Sequence, residues 1–559
     1  MFLQVHTSRT RRPQIGRRVA AALWFSLALL PFPSNAQGWG IGPYGGGGQG
    51  APIQSSQALP GAATPTSSGQ QGWRFTPYAT VWEGYTTNVS TPTGQARQSY
   101  FTTNLGAGLG VSGAGARFRL NGFVAANAYL NYAGSGNATP QNRLYPTANL
   151  TGTLEAIEKL FYIDASAAVA QTFYSPFGPQ PTQVAVATNN RYTSQVYRVS
   201  PYVQGMLGSR ITYLIRDDNI WSIPTQPTGS ANLSFGNFYA NNLTARIGRA
   251  PEPLGWTAEY TRNYLSYQNQ SGTYLTELAL LIVPYQFTPT FQLSARGGYD
   301  RQQFPLTESE GAVYGAGLEW RPTERTSLGG YWQERFFGSN YQFTFTHRRP
   351  LSSISVAAYR GLNTYPRGAF SIPAGVNVTQ ALDAAFQTRI PNPAERAQAV
   401  DQFLAQTGLP PVLSSPLNFY NQQVLTQQGV NATLALLGAR NVLAWTIFRV
   451  DSQAITAEGS PLPPALQGGS DNTQTGTGLT FSHRLTGLTS LNATANWART
   501  TSNLQSSLSS TNTSFQVALN TSLSPKTIAS AGVYYYIFDP SIGANTSTLT
   551  IFGSLNHTF

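Results

Sequence analysis

Acid–base or metal chemistry would most simply start from histidine, and this chain has only four: His6, His347, His483 and His557. No two of them form a His-x-x-x-His pair, and the last three fall near three separate strand ends. Cysteine is absent, which removes thiolate nucleophiles, disulfides and thiolate-held metals. No Gly-x-Ser-x-Gly elbow and no phosphate-cradling glycine loop occurs. Asp217-Asp218-Asn219 is the densest acidic cluster, and its oxygens suit Ca²⁺. Arg216 stands beside it, however, and an ion pair is the better reading. The sequence therefore assigns no catalytic residue, no cofactor and no metal site.

Other charged residues are more informative because of their neighbours. Arg117, Arg119, Arg198, Arg246 and Arg321, with Glu155, Glu259 and Glu319, fall on the polar side of segments that alternate polar and apolar residues. A charge facing lipid at the bilayer midplane costs about 2–4 kcal/mol, so such residues should point into a lumen or lie near an interface. There they would either concentrate anions or pair across the wall and stiffen it. Trp82, Trp256, Trp320 and Trp332 are expected in interfacial aromatic girdles, with sugar stacking as the sharper alternative.

Strands must position these groups. Phe101, Thr103, Leu105, Ala107, Leu109 and Val111 alternate with Thr102, Asn104, Gly106, Gly108 and Gly110. Leu491, Ala493, Ala495 and Trp497 likewise face away from Asn492, Thr494 and Asn496. Successive strand side chains point to opposite faces, so each segment makes one apolar and one polar wall. Gly272–Gln286 is apolar on both sides and gives no facing.

Connections separate a soluble sandwich from a membrane barrel. Tight turns are expected at Ser112–Gly115, Glu158-Lys159, Gly208-Ser209, Thr288–Thr290, Pro322–Arg325, Arg348–Leu351, Gly438-Ala439, Thr486-Gly487 and Ser524–Lys526. Between them fall mostly longer polar connections, among them 89–98, 175–191, 300–311, 361–424 and 454–471. Short and long thus alternate, which predicts an all-β, transmembrane antiparallel β-barrel of about 22 strands, or 18 if weak segments merge. Closure follows because hydrocarbon satisfies no unpaired N–H or C=O.

Composition agrees. Only 10% of the residues are charged, against about 25% in soluble proteins. Aromatics reach 12%, and no apolar run outside the N-terminus is long enough for a spanning helix. The formal charge is +12, but Arg9, Arg11, Arg12, Arg17 and Arg18 lie in the leader, leaving about +7, nearly all arginine and scattered singly. That is no nucleic-acid footprint.

Residues 1–36 read as a secretory signal peptide: a basic stretch, the apolar run Val19–Leu30, then Ser34-Asn35-Ala36 for cleavage near Ala36. Residues 37–72 form a Gly/Pro/Ser-rich segment expected to be flexible in the periplasm, and 73–559 the barrel. Within it, 376–408 breaks the alternation and reads as two short helices inserted in an outside loop. It is expected to stand above the rim rather than enter the mouth. The last segment alternates through Leu555, His557 and Phe559, resembling the terminal signal read by barrel-assembly machinery, although His557 stands where a second aromatic is usual.

Four stretches carry a family resemblance: Val81–Val89 (VWEGYTTNV), Leu160–Gly178, Pro391–Pro410 and Leu437–Arg449. Together they resemble the uncharacterised outer-membrane β-barrel family associated with PEP-CTERM/exosortase systems, which is similar to porin-like barrels. The resemblance implies an outer-membrane location and a context of exopolysaccharide production. It implies no catalytic residue. The expected function is a porin-like channel for hydrophilic solutes, or a pore serving exopolysaccharide export, with outer-membrane lipid and the assembly machinery as partners and no nucleic acid. The alternatives are a plugged structural or assembly barrel and a surface enzyme.

Overall fold

The computed structural model describes residues 72–90, 99–135, 142–225, 236–268, 273–304, 307–364, 423–455, 471–505 and 507–559, with isolated positions between 382 and 416. The expected leader, most of 37–72 and much of the helical insert lie outside the described residues.

Alternating segments become strands of one sheet. The first seven are β1 (Gly72–Ser90), β2 (Ser99–Ala114), β3 (Phe118–Ser135), β4 (Arg143–Ile157), β5 (Phe161–Phe173), β6 (Arg191–Leu207) and β7 (Ile211–Pro224). The next eight are β8 (Phe238–Arg249), β9 (Trp256–Tyr267), β10 (Thr273–Thr288), β11 (Phe291–Phe304), β12 (Thr307–Thr323), β13 (Thr326–Arg335), β14 (Gly338–Arg349) and β15 (Ser352–Asn363). The wall is completed by β16 (Leu425–Leu437), β17 (Asn441–Ala454), β18 (Asn472–Arg484), β19 (Thr489–Ser502), β20 (Ser509–Ser524), β21 (Thr527–Pro540) and β22 (Thr546–Thr558).

Each strand pairs antiparallel with its sequence neighbour, and β22 pairs with β1 from Tyr78↔Thr558 to Ser90↔Ser547. The 22-stranded sheet is therefore a closed barrel with no free border. Strands 4.7–4.9 Å apart and tilted at about 45° make a wall roughly 45 Å across. Side chains fasten the seam: Thr86 and Thr550 share a hydroxyl hydrogen bond of 2.9 Å, and Asn556 Nδ2 donates to Thr80 Oγ1 at 2.7 Å.

One face of every strand points outward and is mostly apolar over its middle. Val81, Leu105, Leu281, Ile447, Val517 and Ile551 are all more than two-fifths exposed, as a bilayer-facing surface requires. Aromatic residues cluster towards the two ends of this belt, as Tyr85–Phe101–Tyr132 at one and Tyr285–Phe287–Phe291 at the other. Trp256, Trp320 and Trp332 share the outward parity. Trp82 does not. It is 5% exposed, points inward and stacks on Phe552 at 5.9 Å, so its place in a girdle is corrected. Even-numbered residues of β1 face the lumen, and Gly84 on the same face gives the indole room: a Cβ there would stand 2.3 Å from Trp82 Cη2.

The end where β1 starts and β22 stops (the turn end) carries only short connections, from two residues at 525–526 to six at 250–255. Long connections gather at the opposite, loop end, including 174–190 and 364–424. One expectation fails there. The stretch 300–311 is not a long loop, because β11 and β12 are joined across 305–306 alone. Its polar residues belong to the strand ends, where Arg301 Nη2 reaches Glu308 at 2.9 Å on the outer face and Asp300 turns inward. Polarity on both faces imitates a loop in sequence.

Candidate functional site

The functional question lies inside the barrel, where much of the polar wall is dry. Thr86, Thr102, Asp218, Asp300, Gln333 and Thr446 all face inward at 0% exposure. Side chains lining an open aqueous tube of this width would be wet. Instead the chain's own segments fold into the lumen.

The connection 174–190 is the best defined. It contains no charged residue and is anchored by Pro176, Pro179 and Pro181, so burying it desolvates no ion. Val184, Ala185 and Val186 are 9%, 1% and 3% exposed and pack against Trp82, Tyr129, Tyr534 and Phe552. The loop leaves the wall between β5 and β6 yet touches β20–β22 and β1–β3. Neutral and charge-assisted hydrogen bonds hold it there. The Gln180 amide donates to Tyr536 Oη at 2.6 Å, the Thr182 amide to Tyr534 Oη at 2.9 Å, and the Ala187 amide to Tyr100 Oη at 3.4 Å. Arg191 donates to the carbonyls of Val184 and Pro181 at 2.9 and 3.0 Å, and Arg143 to that of Ala185 at 3.3 Å.

A second filling comes from the insert. Leu382, Phe386, Glu395, Arg396, Ala399 and Val400 are helical, as the sequence predicts. Their position differs from expectation. Leu382 and Val400, at 1% and 0% exposure, pack with Leu437, Val442 and Ala444. Those three face inward at the turn end of β16 and β17, so the insert reaches down inside the barrel instead of standing above the rim. Burying its apolar face is the physical reason: the wall there is apolar, and helices left above the rim would expose Leu382 and Val400 to water.

Ionic groups line the wall from β4 to β13. Arg216 Nη1 reaches Asp164 at 2.7 Å and its Nε reaches Asp218 at 2.9 Å, while the guanidinium lies 4.9 Å from the Tyr202 ring. Arg246 and Glu259 stand directly opposite on β8 and β9 and pair through Nε at 2.9 Å. Arg335 holds Asp300 by two bonds of 2.9 Å, with the two side chains 1% and 0% exposed. The Asp300–Arg335 and Asp164–Arg216 pairs were not singled out from the sequence, since long-range register has no local signal.

The remaining sequence-selected residues are placed as follows. Arg198 shares inward parity with buried Val196 and Ser200. Glu319 and Arg321 face inward near the turn end, 3.7 Å apart. Glu155 accepts from the Lys159 amide and from Tyr162 Oη, clasping the β4–β5 turn. Arg119 lies at the exposed turn-end rim on the inward parity. Arg117 lies in the turn-end connection 115–117, one residue before β3, and pairs with Glu158 at 3.4 Å. Leu555, His557 and Phe559 align on the outer face of the last strand, and the Phe559 amide donates to Pro77 O at 2.9 Å.

Asp217 and Asp218 point to opposite faces. Asp218 takes Arg216 and Ser200 inside, whereas Asp217 accepts from the Asn219 and Asn241 amides. Two carboxylates on opposite sides of a sheet hold no common cation, and no cluster of metal-ligating residues occurs among the described residues. His347, His483 and His557 sit on β14, β18 and β22, with Nδ1 of His347 and of His557 each 2.9 Å from a neighbouring-strand threonine.

No protein-family model and no curated protein matches the chain. Among solved structures it is similar to the FrpB iron transporter (F3-3 variant) from Neisseria meningitidis, with 9% identity, 88% of this chain and 82% of that chain covered, and a TM-score of 0.46. It is similar also to the siderophore receptor PirA from Pseudomonas aeruginosa, with 10% identity, 88% and 81% covered, and a TM-score of 0.39. The siderophore receptor PiuA from Acinetobacter baumannii gives 9%, 88% and 82%, and 0.44. Likeness at these values adds nothing to what strand register already establishes, and no ligand carries across.

Proposed function

We propose that this chain is an outer-membrane conduit for hydrophilic solutes, shut at rest by segments of its own chain. One observation carries the reading: the uncharged connection 174–190 folds into the lumen and is fastened to β2 and β21 by hydrogen bonds to neutral phenols. The phenol bonds, worth about 0.5–1.5 kcal/mol each, are easily exchanged for bonds to water, while the bonds from Arg143 and Arg191 tether the loop to its own side of the barrel near β4 and β6. The apolar outer belt, the leader read from the sequence and the closed seam support the location. Outward alignment of Leu555, His557 and Phe559 supports recognition by the assembly machinery. The sequence resemblance adds exopolysaccharide as a solute class.

Single-channel recording in planar bilayers tests the proposal. The intact barrel should show brief, infrequent openings, and a variant with 176–188 replaced by a short Gly-Ser link should conduct steadily. Equal silence from both, with folding verified, overturns it in favour of the permanently plugged barrel. Packing of Leu382 and Val400 on β16 and β17 favours that second reading. Deleting 376–408 separates the contributions: a further rise in current makes the insert a second closure, and no change makes it a fixed lining.

A further inference from the structure

Strand register sets one row of outward residues apart. Asp217 on β7, Leu243 on β8 and Arg262 on β9 stand directly opposite one another across successive strands. Their chain neighbours Arg216, Asp218, Asn242 and Thr261 are buried and point inward, so these three point out. The row is also deep. Asp217 lies six residues above Ile211, where β7 begins, and Arg262 six above Trp256, where β9 begins. On strands tilted near 45° that is roughly 14 Å above each strand's start, well inside an apolar band about 25 Å tall. Glu83, Glu277 and Arg301 face outward too, but lie at least ten residues from the turn ends of β1, β10 and β11, towards the headgroups.

Hydrocarbon offers neither group a countercharge. Asp217 accepts from Asn219 Nδ2 at 2.8 Å and from Asn241 Nδ2 at 2.6 Å, and Tyr239 Oη donates to Asn219 Oδ1 at 2.6 Å. These neutral groups orient the carboxylate without balancing it. Arg262 makes no hydrogen bond or ion pair among the described residues. Glu277, its cross-strand neighbour, accepts instead from Tyr260 Oη at 2.7 Å. A soluble partner does not reach this depth, so what covers the row must itself span the membrane.

A second copy of the same wall supplies both charges at once. Around a two-fold axis along the membrane normal the patch meets itself, so that Asp217 of each copy faces Arg262 of the other. The row climbs roughly 7 Å over two tilted strands, within the length of an extended arginine. Leu243, between the two charges, falls at the axis. We infer that the outer face of β7–β9 is the contact between two copies of this chain in the membrane, held by reciprocal Asp217–Arg262 pairs. The contact is independent of whether the lumen conducts.

The photoreactive residue p-benzoylphenylalanine, placed at Leu243 in the full chain and irradiated in intact outer membranes, reads the contact. The control position is Val517, outward and 48% exposed on β20, across the barrel from β8. Leu243 should yield a band of twice the chain's mass at least fivefold stronger than Val517 does, and two differently tagged copies should both be found in it. Arg262→Asp should weaken that band at least fivefold, and adding Asp217→Arg should restore it to within about twofold. Heat-modifiable mobility in electrophoresis verifies folding of each variant. If either exchange prevents folding, Arg262→Leu replaces the series, with the same fivefold loss expected and an unchanged band overturning the inference. A folded Leu243 variant with no dimer above the control also overturns it, as does a band that contains a different protein, ignores Arg262→Asp or stays weak in the folded double exchange.

Discussion

Asp300 and Arg335 show how much a single inward pair controls. Both are buried and joined by two bonds, so removing one partner leaves the other charged and dry. Arg335→Leu should destabilise the barrel by about 3–5 kcal/mol, and adding Asp300→Leu should restore most of the loss. Urea unfolding in detergent micelles measures both, and a double variant as unstable as the single one would contradict the account. Asp217 and Asp218 yield a second expectation. Because the strand turns them to opposite faces, saturating Ca²⁺ should leave the unfolding midpoint unmoved. A calcium-dependent rise would mean that the two carboxylates share an ion.

Among the elements, the 174–190 connection is the gate on the conduit reading proposed above. The double substitution Tyr534→Phe and Tyr536→Phe removes the acceptors of the Gln180 and Thr182 amides while keeping the rings. Open probability in bilayers should rise several-fold at unchanged single-channel current, and an unaltered gating record would show that the phenols do not fasten the loop. The strands beneath were legible in the sequence because alternation is local: Leu491 to Trp497 declares its two faces within one segment. Destinations of connections were not. The sequence of 175–191 reads as a polar outside loop, yet Val184-Ala185-Val186-Ala187 is an apolar run in a stretch, 174–190, that carries no charge, the one available sign that it seeks a dry place. The insert's helices were visible from Ala, Leu and Gln spacing, but the wall they meet was not, because Leu382 and Val442 are far apart in the chain. Facing in β10 also needed the fold. Leu278, Leu280 and Ile282 point inward at 2–5% exposure while Leu281 faces out, an assignment that two apolar faces cannot give.

At the scale of the whole molecule, closure makes the barrel all-or-none. Removing β22 would leave β1 and β21 each with an unpaired edge in hydrocarbon. A chain lacking 546–558 should therefore give no heat-modifiable band in semi-native electrophoresis, whereas Phe559→Ala should fold in detergent but assemble more slowly on membranes. A folded truncation would mean that the seam is dispensable. Once unlatched, the conduit should show a small anion preference in a salt gradient, since the arginines of 73–559 outnumber its acids. The preference should remain small because Asp164, Asp218, Glu259 and Asp300 hold their arginines in pairs.

The seam also imposes a timetable. Thr86 and Thr550 bond to each other across 464 residues of chain, so at ordinary translation speeds the first strand waits roughly 20–90 s for its mate merely to be made. During that delay every finished strand is a sticky, nearly uncharged ribbon with both borders bare. Delivery to the membrane thus depends on escorts that mask backbone rather than side-chain charge, and a cell short of such escorts should lose this protein to proteolysis before it loses smaller barrels.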